Sequence, residues 1–226
     1  MMPAKLALHL RSAHKAAAGE RHRSSADCIG ESVTKRMSTR NIVNDYGRAM
    51  PPDGKPAYFR LHRYRFQKLL AALPPPPARV LEVGTTPGQF TEILRRAGYE
   101  VAGVDLFPEQ RAELWQRLGV EVRFCNIDEQ PLPYEDSLFD AVVFSEVIEH
   151  LVASPLPALR EMARVLRPGG VLLVSRRQGS DAPWFLGHTH SRDAFEACLA
   201  DIGLTDIRTQ PWQVEYELVW AARPET

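Results

Sequence analysis

From residue 79 onward, short runs rich in β-branched residues alternate with stretches of helical period, and few architectures accommodate that alternation. It predicts a mostly parallel sheet covered by helices on both faces. The strands are expected at RVLEVG (79–84), VAGVDL (101–106), VEVRFC (120–125), DAVVFSE (140–146) and GVLLVS (170–175). After the first strand, Phe90, Ile93, Leu94 and Ala97 share one helical face, with Gly98 as terminator. The next helix is expected from Pro108 to Leu118, burying Leu114, Trp115 and Leu118. A third starts at Ser154-Pro155 and buries Leu156, Leu159, Met162 and Leu166, and a fourth starts near Ser191 with Phe195, Cys198, Leu199 and Ile202 inward. Two last strands, 207–212 and 214–222, are so close that a hairpin must join them, which makes the final strand antiparallel to its neighbour. Ahead of the sheet, Phe59, His62, Phe66, Leu69, Leu70 and Leu73 mark an amphipathic helix that the proline run 74–77 ends.

The expected organisation is a basic extension over residues 1–40, a helical cap over 41–77 and a ligand-binding α/β domain over 78–224. A chain of 226 residues that is 44% hydrophobic builds one full core. Lysine and arginine balance aspartate and glutamate, so no overall field selects nucleic acid or membrane as partner. The three cysteines, Cys28, Cys125 and Cys198, are scattered without a C-x-x-C pair, which fits a reducing cytoplasm. The apolar run 171–175 is cut short by Arg176 and Arg177, so no bilayer span is expected. The first forty residues carry Arg11, Lys15, Arg21, Arg23, Lys35, Arg36 and Arg40 with few large apolar groups, and disorder is the expectation. An organelle transit peptide, an RNA-contacting arm, or translation from Met37 are the other readings of this stretch.

The chemistry concentrates at VLEVGTTPGQF (80–90), a strand joined to a helix through Gly84 and Gly88. Bare backbone there lets a ligand approach the free amides of the helix start. The order G-T-T-P-G departs from the dinucleotide fingerprint, with Thr86 where a second glycine is expected. Glu82 would repel a pyrophosphate and attract an ammonium group, which disfavours a nicotinamide-dependent reductase. Asp105, ending the second strand, can accept hydrogen bonds from ribose hydroxyls, and Asp128, after the third, from an exocyclic adenine amine. These loops share one crevice at the carboxyl ends of the strands.

The segments E-V-G-T-T-P-G (82–88), V-D-L (104–106), I-D-E-Q-P-L-P-Y (127–134), F-D-A-V-V-F-S-E-V-I-E-H-L (139–151) and R-V-L-R-P-G-G (164–170) stand in an order and spacing that resembles the class I S-adenosylmethionine (SAM)-dependent methyltransferases of the broad type-11/type-12 group, over roughly residues 56–222. The resemblance implies a Rossmann-like, doubly wound α/β fold with a mostly parallel seven-stranded sheet, an antiparallel last strand and helices on both faces. It implies SAM as cofactor, with Glu82, Gly84, Thr85, Thr86 and Gly88 at the methionine part, Asp105 at the ribose, Leu106 against one face of the adenine, Asp128 at its amine, Ser145 giving backbone contacts and Ile127 also at the cofactor. Thr86 departs from the family pattern by restricting the turn and adding bulk near the cofactor.

Methyl transfer from a sulfonium is an in-line displacement that needs alignment first and a base only when the nucleophile must lose a proton. His150 and His188 are the candidate bases, with His190 beside the latter. Tyr46, Tyr58, Phe59, Trp184 and Phe185 are the candidate substrate contacts, and Arg176 and Arg177 are read as solvated or as receivers of an anionic group. The expected activity is methylation of O, N or C of a small molecule by a monomer or homodimer. A second reading makes Glu146, Glu149, His150 and His190 a metal site resembling that of the RNA 3′-terminal 2′-O-methyltransferases. A third is a non-catalytic SAM-binding subunit.

Overall fold

A computed structural model describes residues 38–50, 54–152, 154–177 and 191–226. By internal packing the chain divides into Met1–Arg36 and Met37–Thr226, and every described residue belongs to the second unit. The expectations for residues 1–37, and for Trp184, Phe185, His188 and His190, lie outside the described residues.

Helix α1 (Thr39–Ala49) starts inside the stretch read as an extension, where the Ser38 side chain accepts from the Asn41 amide and caps it. Helix α2 (Pro56–Ala72) follows, ended before the prolines as predicted. The α/β succession is β1 (Arg79–Val83), α3 (Gln89–Arg96), β2 (Glu100–Asp105), α4 (Ala112–Leu118), β3 (Glu121–Phe124), β4 (Phe139–Ser145), α5 (Leu156–Val165), β5 (Leu166–Arg177), α6 (Arg192–Asp201), β6 (Thr205–Gln213) and β7 (Tyr216–Ala222).

The seven strands form one sheet in the order β3-β2-β1-β4-β5-β7-β6. β1 to β5 pair in parallel, whereas β7 lies between β5 and β6 and runs antiparallel to both. Side chains alternate between the two faces. Val142 and Phe144 join the core that contains Leu159 and Met162 of α5 and Phe195 and Leu199 of α6. Ala141 and Val143 join the opposite core, with Phe66, Leu69 and Leu70 of α2 and Ile93 and Leu94 of α3. Strands are added outward in one direction from β1 through β2 to β3 and in the other from β4, so the order of winding reverses between the parallel neighbours β1 and β4, where such a sheet opens a crevice.

Three boundaries move. β5 begins at Leu166, so the buried face of α5 is Ala158, Leu159, Met162 and Val165, and Leu166 packs as a strand residue. Val214 sits in the turn before β7 and is 96% exposed, because the hairpin needs residues outside the ladder. The α4 segment opens as a 3₁₀ turn, Pro108–Arg111, and only Trp115 is fully buried, its Nε1 donating to the Pro108 carbonyl at 2.9 Å. Among the described residues no helix is long and apolar enough to cross a membrane.

Candidate active site

The turn after β1 is built by two glycines in the left-handed region, Gly84 at φ 81° and Gly88 at φ 94°. A Cβ on Gly84 would lie 2.3 Å from Cγ2 of Val147, and one on Gly88 2.3 Å from Cδ2 of Leu114. Thr86 needs no such conformation and its side chain is exposed, so the turn accommodates it without the restriction expected from its departure. Asp105 fixes the turn to the end of β2. Its Oδ2 accepts from the Thr86 amide at 2.9 Å and the Thr85 hydroxyl at 3.3 Å, and its Oδ1 from the Phe107 amide at 3.0 Å.

These groups line a cavity of about 490 Å³ at the carboxyl ends of the strands, a size suited to a small-molecule ligand. Every residue expected to contact the cofactor lines it, as do Tyr58 and His150. Glu82 is 6% exposed and its Oε2 accepts from the Thr91 hydroxyl at 2.6 Å. Burial pushes its carboxyl up to about 8, against the opposing pull of the Thr91 hydrogen bond and of Arg65, and Asp105 adds to the rise. Glu82 is therefore largely protonated at neutral pH until a cation arrives. Asp128 accepts from the Val152 amide at 3.1 Å, and the Ser145 hydroxyl is buried with no hydrogen-bond partner.

Two wall residues were not singled out as site candidates in the sequence. Arg65 of α2 is 3% exposed; its Nη2 donates to the Tyr58 hydroxyl at 3.1 Å and its Nη1 lies 3.3 Å from Glu146 Oε2. Nε and Nη1 have no hydrogen-bond partner. His62 stacks on Tyr58 with ring centroids 4.1 Å apart, and burial, helped by Arg65, drives its pKa down to about 4, so the ring is neutral. The available signal was spacing, since Tyr58, His62, Arg65 and Leu69 fall on one side of α2, which places a guanidinium on a face that is otherwise buried.

Other expectations are corrected. Tyr46 is buried edge-on against Phe59 at 5.4 Å and borders a separate hollow with Glu92 and Arg117, so neither it nor Phe59 lines the cavity. Arg176 is 2% exposed rather than solvated. Its Nε and Nη2 donate to Glu217 Oε1 at 2.9 and 2.6 Å, and Arg192 holds Glu217 Oε2, which ties β5, β7 and α6 together. Arg177 pairs with Glu215 at 2.5 Å. Glu146 accepts from the Ser175 hydroxyl at 2.5 Å besides facing Arg65, Glu149 does not line the cavity, and among the described residues no three His, Cys, Asp or Glu side chains are grouped to hold a metal.

A family profile described as a methyltransferase domain matches residues 81–174. A probable S-adenosylmethionine-dependent methyltransferase of Mycobacterium tuberculosis is 36% identical over 160 residues, which cover 66% of this chain and 56% of that protein. The ubiquinone biosynthesis O-methyltransferase of Xanthomonas campestris pv. campestris is 33% identical over 131 residues, covering 56% and 54%. The demethylmenaquinone methyltransferase of Thermus thermophilus is 37% identical over 117 residues, covering 50% and 53%. The chain thus spans about half the length of the curated relatives it matches. A crystal structure of a SAM-dependent methyltransferase from Aquifex aeolicus superposes with a TM-score of 0.61 at 21% identity, covering 80% of this chain and 97% of that one. The [4+2]-cyclase SpnF superposes at 0.60 and 17% identity, covering 74% and 83%. Likeness at these identities establishes the fold alone, and a fold hosts more than one reaction.

Proposed function

We propose that the chain, whose residues 81–174 match a methyltransferase domain and whose relatives include SAM-dependent methyltransferases, transfers the methyl group of SAM to a small-molecule acceptor. The observation that carries the reading is the convergence of Glu82, the Gly84 turn and Asp105 on one cavity. The donor set fits SAM. A buried carboxyl lacking a full counter-charge suits an ammonium group.

When bound, SAM supplies an electrophilic methyl on a positively charged sulfur. Glu82 would hold the amino-acid end, Asp105 the ribose with its remaining lone pairs, and Asp128 the adenine amine. Leu106 and Ile127 give apolar faces for the base. The contribution of the chain to rate is alignment within a partly closed cavity, which for a displacement is the larger share of the work. His150, exposed in the 3₁₀ turn after β4, is positioned at the cavity wall to take a proton where the acceptor has one to lose. Relatives named for ubiquinone and demethylmenaquinone support a small-molecule acceptor.

Calorimetry with SAM and with S-adenosylhomocysteine (SAH) tests the donor site, with both expected to bind. Incubation with labelled SAM and a small-molecule extract tests transfer, with label expected in a methylated product. Failure to bind either compound overturns the reading, and binding without any labelled product favours a non-catalytic SAM-binding subunit.

A further inference from the structure

The charges of this chain balance overall but not locally. From residue 39 to residue 72 the sequence carries Arg40, Arg48, Lys55, Arg60, Arg63, Arg65 and Lys68 against Asp45 and Asp53, and α2 itself has no acidic residue. One side of α2 packs into the core and the cavity wall through Phe59, His62, Phe66 and Leu69. The other side presents Arg60, Leu61, Tyr64 and Lys68, which recur at helical spacing, with Arg63 at its margin. Leu61 is 62% and Tyr64 48% exposed, and Lys68 Nζ lies 5.3 Å from the centre of the Tyr64 ring. Lys55, Arg60, Arg63 and Lys68 enter no ion pair among the described residues, whereas Arg48 and Asp45 of the neighbouring α1 neutralise each other at 2.8 Å.

We propose that this outer face of α2 docks on an anionic lipid surface, with Arg60, Arg63 and Lys68 against the phosphate groups and Leu61 and Tyr64 at the boundary between headgroups and acyl chains. An isolated exposed leucine is ordinary. A leucine and a tyrosine three residues apart, ringed by cations without counter-charges, match both parts of a bilayer surface. The phosphates attract the cations, and the interface accepts an aliphatic side chain and an aromatic ring with a polar tip. A nucleic acid satisfies the cations but offers Leu61 no apolar layer to enter. The main apolar side of α2 is occupied by the core, so two large apolar side chains reach outward and the attraction is chiefly electrostatic. Docking on this face is therefore reversible and salt-sensitive. It sets the lipid about one helix diameter, roughly 10 Å, from the cavity wall that the opposite side of α2 supplies.

The test is sedimentation of the whole chain with vesicles of equal parts phosphatidylglycerol and phosphatidylcholine, beside vesicles of phosphatidylcholine alone. Binding is expected to the mixed vesicles and not to the neutral ones, and it should fall away in about 1 M salt, where the screening length is only ~3 Å. Replacing Arg60, Arg63 and Lys68 together by glutamine should weaken it by about tenfold or more, with the melting temperature kept near that of the wild type. Leu61→Ser, an exposed change that removes no charge, should weaken it severalfold, and it tests the face even where the triple variant is unstable. As a control for the basic start of the chain, replacing Arg11, Lys15 and Arg21 by glutamine should leave binding in place. The proposal is overturned by equal binding to neutral and anionic vesicles, by binding to neither, by unchanged binding in both α2 variants, or by a loss seen only in the control. Tighter binding of an RNA duplex than of the mixed vesicles, lost in the triple variant but not with Leu61→Ser, would assign the face to nucleic acid and also overturn it.

Discussion

The Thr91 hydroxyl donates to Glu82 Oε2 at 2.6 Å, so the first turn of α3 holds the buried carboxyl of β1 beneath the glycine turn. That contact lowers the carboxyl's pKa, yet burial outweighs it and leaves the group near 8. Binding an ammonium group there must expel the proton. SAH affinity should therefore rise as pH increases from about 6 to about 8, by up to roughly tenfold per unit, and level off above. Calorimetry across that range, repeated with Glu82→Gln, checks this: the variant should bind weakly with a flat profile.

The same group sets a stability trend in the empty protein. Its folded pKa lies above the unfolded value of about 4.3, so its contribution is complete below that value and is lost as pH rises through 8. Glu82→Gln should lose less stability than wild type between those limits in thermal melts. His62 acts in the opposite direction: depressed to about 4, it contributes above about 6.5 and loses that contribution as pH falls through 4, and His62→Gln should blunt the acid loss in urea titrations.

Gly84→Val places a branched side chain where a Cβ already lies 2.3 Å from Val147, at φ 81°. The backbone strain alone is about 1–3 kcal/mol. Expected outcomes are a lowered melting temperature and SAH affinity reduced by about 100-fold or more, with Gly84→Ala intermediate; unchanged affinity in the valine variant would place the ligand elsewhere.

Asp105→Ala removes three hydrogen bonds that organise the turn as well as any bond to a ribose. SAH binding should weaken by roughly 1–3 kcal/mol, the scale of lost charge-assisted bonds. Asp105→Asn should fall between the two, because an amide oxygen accepts from some of the same donors.

Arg176→Met strands the Glu217 carboxylate, itself 1% exposed, with the half-exposed Arg192 as its remaining counter-charge among the described residues. A loss of about 3–5 kcal/mol is expected from urea unfolding. Replacing Arg176 and Glu217 together with apolar residues should cost distinctly less than the single change, since no charge is then left buried alone.

The side of the cavity proposed to hold the donor was legible as strand, turn and strand end because its residues are local in the chain. Glu82, Gly84, Gly88 and Asp105 mark strand, turn and strand end within twenty-odd residues, and the backbone dihedrals and strand polarity that place them follow from nearest-neighbour sterics and hydrophobic period. The parallel order of β1 to β5 and the reversal of the last strand follow from the same kind of pattern. What the tertiary structure alone decided are contacts between segments far apart in sequence. β7 inserts between β5 and β6, Tyr46 turns into the core rather than the cavity, Arg176 meets Glu217, and Arg65 arrives beside Glu146. Each joins elements whose relative placement is set by packing of whole faces, and residue spacing along the chain carries no record of which faces meet.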